Sequence, residues 1–301
     1  MSYRTILAIL SIAVVSASKL HAETQVYGVL TNTPDTPYWQ SVQLGLREGA
    51  HAEQVDYYAQ TLKNAEPNTV LTMCNSMLDR KPNILLVALP DSTALSTCFE
   101  KAQGLNIPVI SIGDSDIQHG SENISSFVLT DHNEAAAIGA SYIASTLGSN
   151  AEGTVIIPDT KENKLAVKSF TEKLMESAPS LEVLVSSPEE LINVAPDIRA
   201  IISVDNSSIL NAVSDQLSDS DVLILSIDNK ADNPSLLANG KIHASVTPLP
   251  YLLGKRAMEH ASQTINNDSI EEREEAFYIK PVLLTKQILD EGNDPMLEYV
   301  K

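Results

Sequence analysis

The stretch "VLILSIDNK", residues 222–230, joins an unbroken apolar run to a tip made of an acid and an amide. An apolar run of this length without polar alternation reads as a strand buried on both faces, the habit of parallel sheets. The same grammar recurs in "RAIISVDNSS" (199–208) and "PVISIGDSD" (108–116). Asp228 with Asn229, Asp205 with Asn206, and Asp114 with Asp116 follow the three runs. "TPDTPYW" (33–39) and "VLTDHN" (128–133) continue the theme with Asp35, Thr36, Thr130 and Asp131. Any one of these acids also reads as a helix cap or turn residue. Together they point to a shared cleft, because open parallel sheets bind ligands beyond the carboxyl ends of their strands, where helix N-termini converge.

Outward from these tips, apolar segments alternate with amphipathic ones. Strands are predicted at 26–30, 55–59, 84–89, 108–112, 125–129, 153–157, 181–185, 199–204, 222–227 and 242–246. Helices are predicted at 37–53, 67–79, 93–104, 132–147, 162–177, 206–217 and 249–265. This alternation predicts an α/β fold with parallel sheets and helices on both faces. So many strands divide better into two doubly wound sheets than one. No Gly/Ser-rich linker separates the halves, which predicts two lobes joined by several crossings. Few residues lie between "LEVLVSS" (181–187) and "RAIISV" (199–204), and they include Pro188 and Pro196. That crossover is too short for a full helix. The tail "NNDSIEEREEAFYIKPVLLTKQ" (266–287) predicts an acidic loop and then an extended run from Phe277 to Leu284.

The first 22 residues have a basic start at Arg4, an apolar stretch from Ile6 to Val15, and then small residues. That is the layout of a secretory signal peptide, with cleavage after Ala22 or Ala17. The apolar stretch is too short to span a bilayer. The formal net charge is −19, and removal of Arg4 and Lys19 makes the remainder more acidic still. Such a surface repels phosphate backbones, so no nucleic-acid partner is expected. The two cysteines, Cys74 and Cys98, fall on successive predicted helices, where a disulfide and two buried thiols both fit. The six histidines lack ligand spacing, and no zinc, P-loop, Gly-x-Ser-x-Gly or His-Glu-x-x-His pattern occurs. Neither an enzyme nor a cofactor or metal site is expected. Trp39, the single tryptophan, lies with Tyr38 where the first strand hands over to the first helix. Aromatics there can cover the apolar face of a small polar ligand while acids bind its polar edge.

The order of these segments, from "VYGVLTNTPDTPYWQSVQLGLREGA" through "NIPVISIGDSD" to "VLILSIDNKADNPSLLANGKIHASVTPLPYLLG", resembles the type I periplasmic solute-binding proteins. The ribose- and galactose-binding branch is the similar one, over nearly the whole mature chain. The resemblance implies two doubly wound parallel-sheet lobes joined by three crossings, near Thr130, Thr247–Pro248 and Ala276–Phe277, with the ligand cleft between them. After a signal peptide at 1–22, the N-terminal lobe would hold 24–130 plus 248–276, and the C-terminal lobe 131–247 plus 277–301. It further implies a monomeric periplasmic receptor that closes on a sugar- or polyol-like solute and delivers it to an inner-membrane ABC permease.

By the same resemblance, Tyr38 and Trp39 occupy the places of the aromatics that sandwich a sugar ring. Thr36 stands where an asparagine commonly bonds a hydroxyl, Asp205 replaces a C-lobe asparagine, and Asp228 matches the aspartate that accepts sugar hydroxyls. The expected ligand contacts are therefore Asp35, Thr36, Tyr38, Trp39, Asp114, Thr130, Asp131, Asp205, Asn206 and Asp228. The chain departs from the pattern where Gly113 and Asp114 replace an Asp-Arg pair, where Ala166 replaces an arginine beside Lys164, and at Pro248. Losing two planar guanidinium forks argues against a common pose for the sugar. "DTPYWQSVQLGLREGA" (35–50) is also similar to the opening of the sensory branch, which includes receptors for trimethylamine oxide and autoinducer-2. That alternative implies a sensor histidine kinase as partner, but position 228 is Asp where a methylamine cage carries Tyr.

Overall fold

In the computed structural model, the described residues are 26–32, 35–62, 66–88, 93–113, 123–158, 164–186, 197–204, 215, 217, 220–227, 233–266 and 276–293. Among them, every predicted apolar run is a strand. The strands are β1 (Val26–Asn32), β2 (Asp56–Leu62), β3 (Ile84–Ala88), β4 (Val109–Gly113), β5 (Ser126–Thr130) and β6 (Gly153–Pro158). They continue with β7 (Leu181–Ser186), β8 (Ile198–Val204), β9 (Leu223–Ile227), β10 (Ala244–Thr247), β11 (Ala276–Ile279) and β12 (Val282–Thr285). The helices are α1 (Pro37–Glu53), α2 (Pro67–Leu78), α3 (Thr93–Gly104), α4 (His132–Leu147) and α5 (Lys164–Ser177). After these come α6 (Asn233–Ala238), α7 (Pro250–Asn266) and α8 (Lys286–Glu291). The expected helix at 206–217 and the short crossover at 188–196 lie outside the described residues.

The strands form two sheets of six, ordered β11-β5-β4-β3-β1-β2 and β12-β10-β9-β8-β6-β7. All pairings are parallel except β10 with β12. Alternation explains the long apolar runs. In the first sheet Tyr27, Val29, Ile84, Leu86, Ile110 and Ile112 face the core under α1 and α7. Leu30, Leu85, Val87 and Val109 face the opposite core under α2 and α3. The second sheet repeats this, with Val155, Ile157, Ile202 and Leu225 under α4 and α5, and Ile156, Ile201 and Ile224 on the reverse face beside Leu236 and Leu237 of α6. A strand sandwiched in this way has no polar side to show.

The chain passes from the first sheet to the second after β5, returns after β10, and passes again between β11 and β12. The last passage is a correction to the expectation. β11 pairs Ala276–Ile279 with Phe127–Thr130 of the first sheet, so the change of sheet falls at Lys280–Pro281 and not at Ala276–Phe277. The extended run from Phe277 to Leu284 is thus two strands in different sheets. Proline explains the break, since it supplies no ladder donor at the switch. The two shortest helices, α6 and α8, were not anticipated; each is only 6 residues long, too short for a helical period to stand out.

Two devices hold the first half together. Cys74 of α2 and Cys98 of α3 form a disulfide with a Cα–Cα distance of 5.9 Å, and both are wholly buried. Helices α1 and α7 meet through glycines. A Cβ on Gly45 would lie 2.0 Å from the Tyr251 carbonyl oxygen, and one on Gly254 would lie 2.1 Å from that of Val42. The backbones touch, and only glycine leaves room.

Candidate functional site

The first strand-to-helix turn is built by its caps. Thr36 is the N-cap of α1, and its hydroxyl accepts the Trp39 N–H at 3.4 Å. Pro37 follows at the first helical position, where its fixed φ suits a helix start. This cap places Tyr38 and Trp39 in the first turn, just beyond the carboxyl end of β1. Their rings pack edge to face, with centroids 5.2 Å apart at 89°. Both rings lean on the core under α1 yet stay partly uncovered. Asp35, directly before the cap, is exposed. The Thr36 hydroxyl therefore serves the helix and aims Trp39, a role its sequence position did not announce.

The turn after β5 is built alike. Asp131 is the N-cap of α4, and its Oδ1 accepts the Glu134 N–H at 2.9 Å. Glu134, in the first turn, adds a negative charge that complements the helix dipole. The Asp131 N–H donates to the Ile279 carbonyl at 2.9 Å, and Lys280 Nζ approaches Glu134 Oε1 at 3.4 Å. The first and third passages between the sheets are thus stitched to one another. Thr130 is buried at 6 % exposure, so the residue ending β5 faces the interior. His132 opens α4 as an exposed helix-start residue. Pro248, which follows β10, is buried.

At β4 the strand ends in Gly113, whose φ of 152° puts it among conformations that side-chain-bearing residues rarely adopt. Asp114, Asp205, Asn206 and Asp228 lie outside the described residues, as do Thr33 and Pro34. The strands that lead to these four acids and amides are all described. They end at Gly113, Val204 and Ile227, which puts the four at the carboxyl edges of β4, β8 and β9 in sequence.

Beneath that edge the second sheet carries a feature that the sequence reading missed. Ser203, Ser226 and Ser245 are in register on three adjacent strands, and all are wholly buried. Ser245 Oγ lies 2.8 Å from Thr247 Oγ1. The signal is visible afterwards in "IISVD", "ILSID" and "HASVT", each with a serine one residue before the last apolar position. The groups with shifted acidity sit elsewhere. His243, next to the start of β10, accepts the Ile224 N–H on Nδ1 at 3.0 Å, and burial pushes its pKa below the usual 6.5. Burial raises the Tyr27 hydroxyl, with the Ser262 hydrogen bond partly offsetting it. Among the described residues, no cluster of three or more His, Cys, Asp or Glu could hold a metal ion, and no helix is long and apolar enough to cross a membrane.

The described residues thus form two six-stranded α/β sheets of one topology. A family model described as "Periplasmic binding protein domain" matches residues 27–269. The chain belongs to this family. It falls in the ribose/galactose-like branch of the type I periplasmic binding proteins, and it is a binding protein, not an enzyme. Among its relatives is the ribose import binding protein RbsB of Bacillus subtilis, 24% identical over 260 residues, covering 81% of this chain and 83% of the relative. Among solved structures, the arabinose-binding protein AraP from Geobacillus stearothermophilus superposes with a TM-score of 0.75 at 19% identity, covering 89% of this chain and 99% of its own. An ABC transporter periplasmic solute-binding protein from Actinobacillus succinogenes 130z, with bound D-allose, superposes with a TM-score of 0.72 at 20% identity, covering 89% and 100%. Like these folds, the chain carries two α/β units with parallel sheets.

Proposed function

We propose that the chain is an exported receptor that takes a sugar- or polyol-like solute between its two lobes and presents it to an inner-membrane ABC permease. The observation that carries this reading is the partly uncovered Tyr38–Trp39 pair at a strand end, within a family whose named relatives bind sugars. Trp39 and Tyr38 cover the C–H face of the ring. Asp228, Asp205, Asn206 and Asp114 bind its hydroxyls, since a carboxylate accepts from two adjacent hydroxyls at once. Asp35 borders the opening. Thr36 acts as a positioning residue through the Trp39 N–H, and Thr130 and Asp131 shape the first passage. The lobes become 24–130 plus 248–280 and 131–247 plus 281–301, with the passages as the hinge on which they close. The buried serine row holds the strands that end in Asp205 and Asp228.

The shortage of arginine among these positions disfavours an anionic solute. The sensory alternative, a signal molecule presented to a histidine kinase, draws no support from the relatives named above. Thermal unfolding against a panel of pentoses, hexoses, polyols and trimethylamine oxide separates the two. Binding to the folded form alone raises the melting temperature by mass action. The expected result is a concentration-dependent rise with at least one sugar or polyol. A rise with the amine oxide alone, or with no member of the panel, would overturn the reading.

A further inference from the structure

Strand β10 brings to the carboxyl edge of the second sheet a polar group that none of the candidate contacts includes. Thr247 is its last residue, directly before the second passage, and is 8 % exposed. Its neighbours decide which way it faces. Ala244 and Val246 pack into the core under α4 and α5. Residues alternate along a strand, so Ser245 and Thr247 take the opposite face. Their hydroxyl oxygens lie 2.8 Å apart there. Ser226 of β9 shares that face, because the two strands pair Ser245 with Ser226 and Val246 with Ile227. One step further along each chain stand Thr247 and Asp228.

The Thr247 hydroxyl is held in place but not used up. A hydroxyl offers one donor and two acceptor positions, and the bond with Ser245 takes one of them. From Val246 to Pro250 it is the only polar side chain. Pro248 and Pro250 have no backbone N–H, so the backbone cannot donate to a solute at those positions. Valine would fill the same space at a buried strand end without a polar atom to satisfy, which makes the hydroxyl a feature in need of a use.

We infer that Thr247 is a further specificity-determining residue, which reads, together with Asp228, two neighbouring hydroxyls of the solute. The inference rests on the receptor reading above. Adjacent strands stand about 4.8 Å apart, a spacing from which two side chains converge on adjacent hydroxyls of one small ring. Asp228 accepts from the first hydroxyl, and Thr247 Oγ1 shares a hydrogen bond with the second. Ser245 fixes the Thr247 side chain beforehand, so little rotamer freedom is lost on binding.

The test is isothermal titration of the mature chain with the panel sugar or polyol that binds most tightly, and with its monodeoxy analogues. Thr247→Val should weaken the parent solute about fivefold or more, the worth of one net hydrogen bond. Thr247→Ser, which keeps the hydroxyl, should stay within about twofold of the unaltered chain. For one deoxy analogue, the unaltered chain and Thr247→Val should bind alike, because the contact is already gone. Unchanged binding in Thr247→Val would overturn the assignment. So would an equal loss in Thr247→Ser, or the same loss against every deoxy analogue, either of which marks a merely structural hydroxyl. If the unaltered chain binds no member of the panel, the receptor reading fails, and this inference with it.

Discussion

The two sheets share one strand order, yet the halves are secured differently. The first has a disulfide between α2 and α3 and a backbone-to-backbone clasp between α1 and α7. Among its described residues, the second half rests on side-chain packing. Its helix α4 carries Gly139, where a Cβ would meet only side-chain tips, 2.9 Å from Ile227 Cδ1 and 3.1 Å from Phe170 Cε2. Its outer strand β12 is antiparallel, whereas β11 at the matching place is parallel. The same topology therefore tolerates two ways of holding its helices. The stapled half is the one that bears the aromatic pair.

The comparison breaks most readily at the staple. Replacing Cys74 and Cys98 together by alanine should cost about 3 kcal/mol of unfolding free energy, from the entropy of a loop closed across a separation of 24 residues. Denaturant unfolding measures it, and a loss below about 1 kcal/mol would mean that the bond adds little to the first half. Next comes a matched pair of glycines. Gly45→Ala must push two backbones apart and should cost about 3 kcal/mol, whereas Gly139→Ala, meeting flexible tips, should cost about 1 kcal/mol or less. Equal losses in the two variants would remove the distinction between clasp and packing.

Smaller in free energy is Trp39→Ala, which should weaken sugar binding at least tenfold, about 1.4 kcal/mol, in isothermal titration. The melting temperature of the empty protein should change little, because the ring is only partly covered. The smallest effect belongs to the second half and to pH. Partial burial of the His243 ring disfavours its charged form and lowers its pKa, and Nδ1 accepts a backbone N–H. As pH falls below 6.5 toward the lowered folded value, the unfolded chain takes up a proton that the folded chain refuses. Stability should therefore fall modestly through that window, and His243→Gln should flatten the slope of unfolding free energy against pH.

Much of the fold was legible because parallel strands bury both faces. Runs such as "ILLVA" and "LILSI" cannot be surface strands, and the helices between them carry clear periods. The third passage was misplaced because "AFYIKPVLL" reads as one extended segment; only pairing shows that Ile279 and Val282 belong to different sheets. The place of Trp39 in the first helical turn after β1 was legible in the sequence. The role of Thr36 was not, since a hydroxyl that caps a helix and one that meets a ligand look alike in sequence. The serine row stayed hidden because its meaning depends on register across three strands.

Trp39 is the only indole in the chain, so its emission reports on one place. Titrating that fluorescence with whichever sugar or polyol raises the melting temperature tests the central claim directly. A saturable change, with a dissociation constant matching the calorimetric one, is predicted. An unchanged spectrum while the solute demonstrably binds would place the ligand away from the aromatic pair and contradict the account.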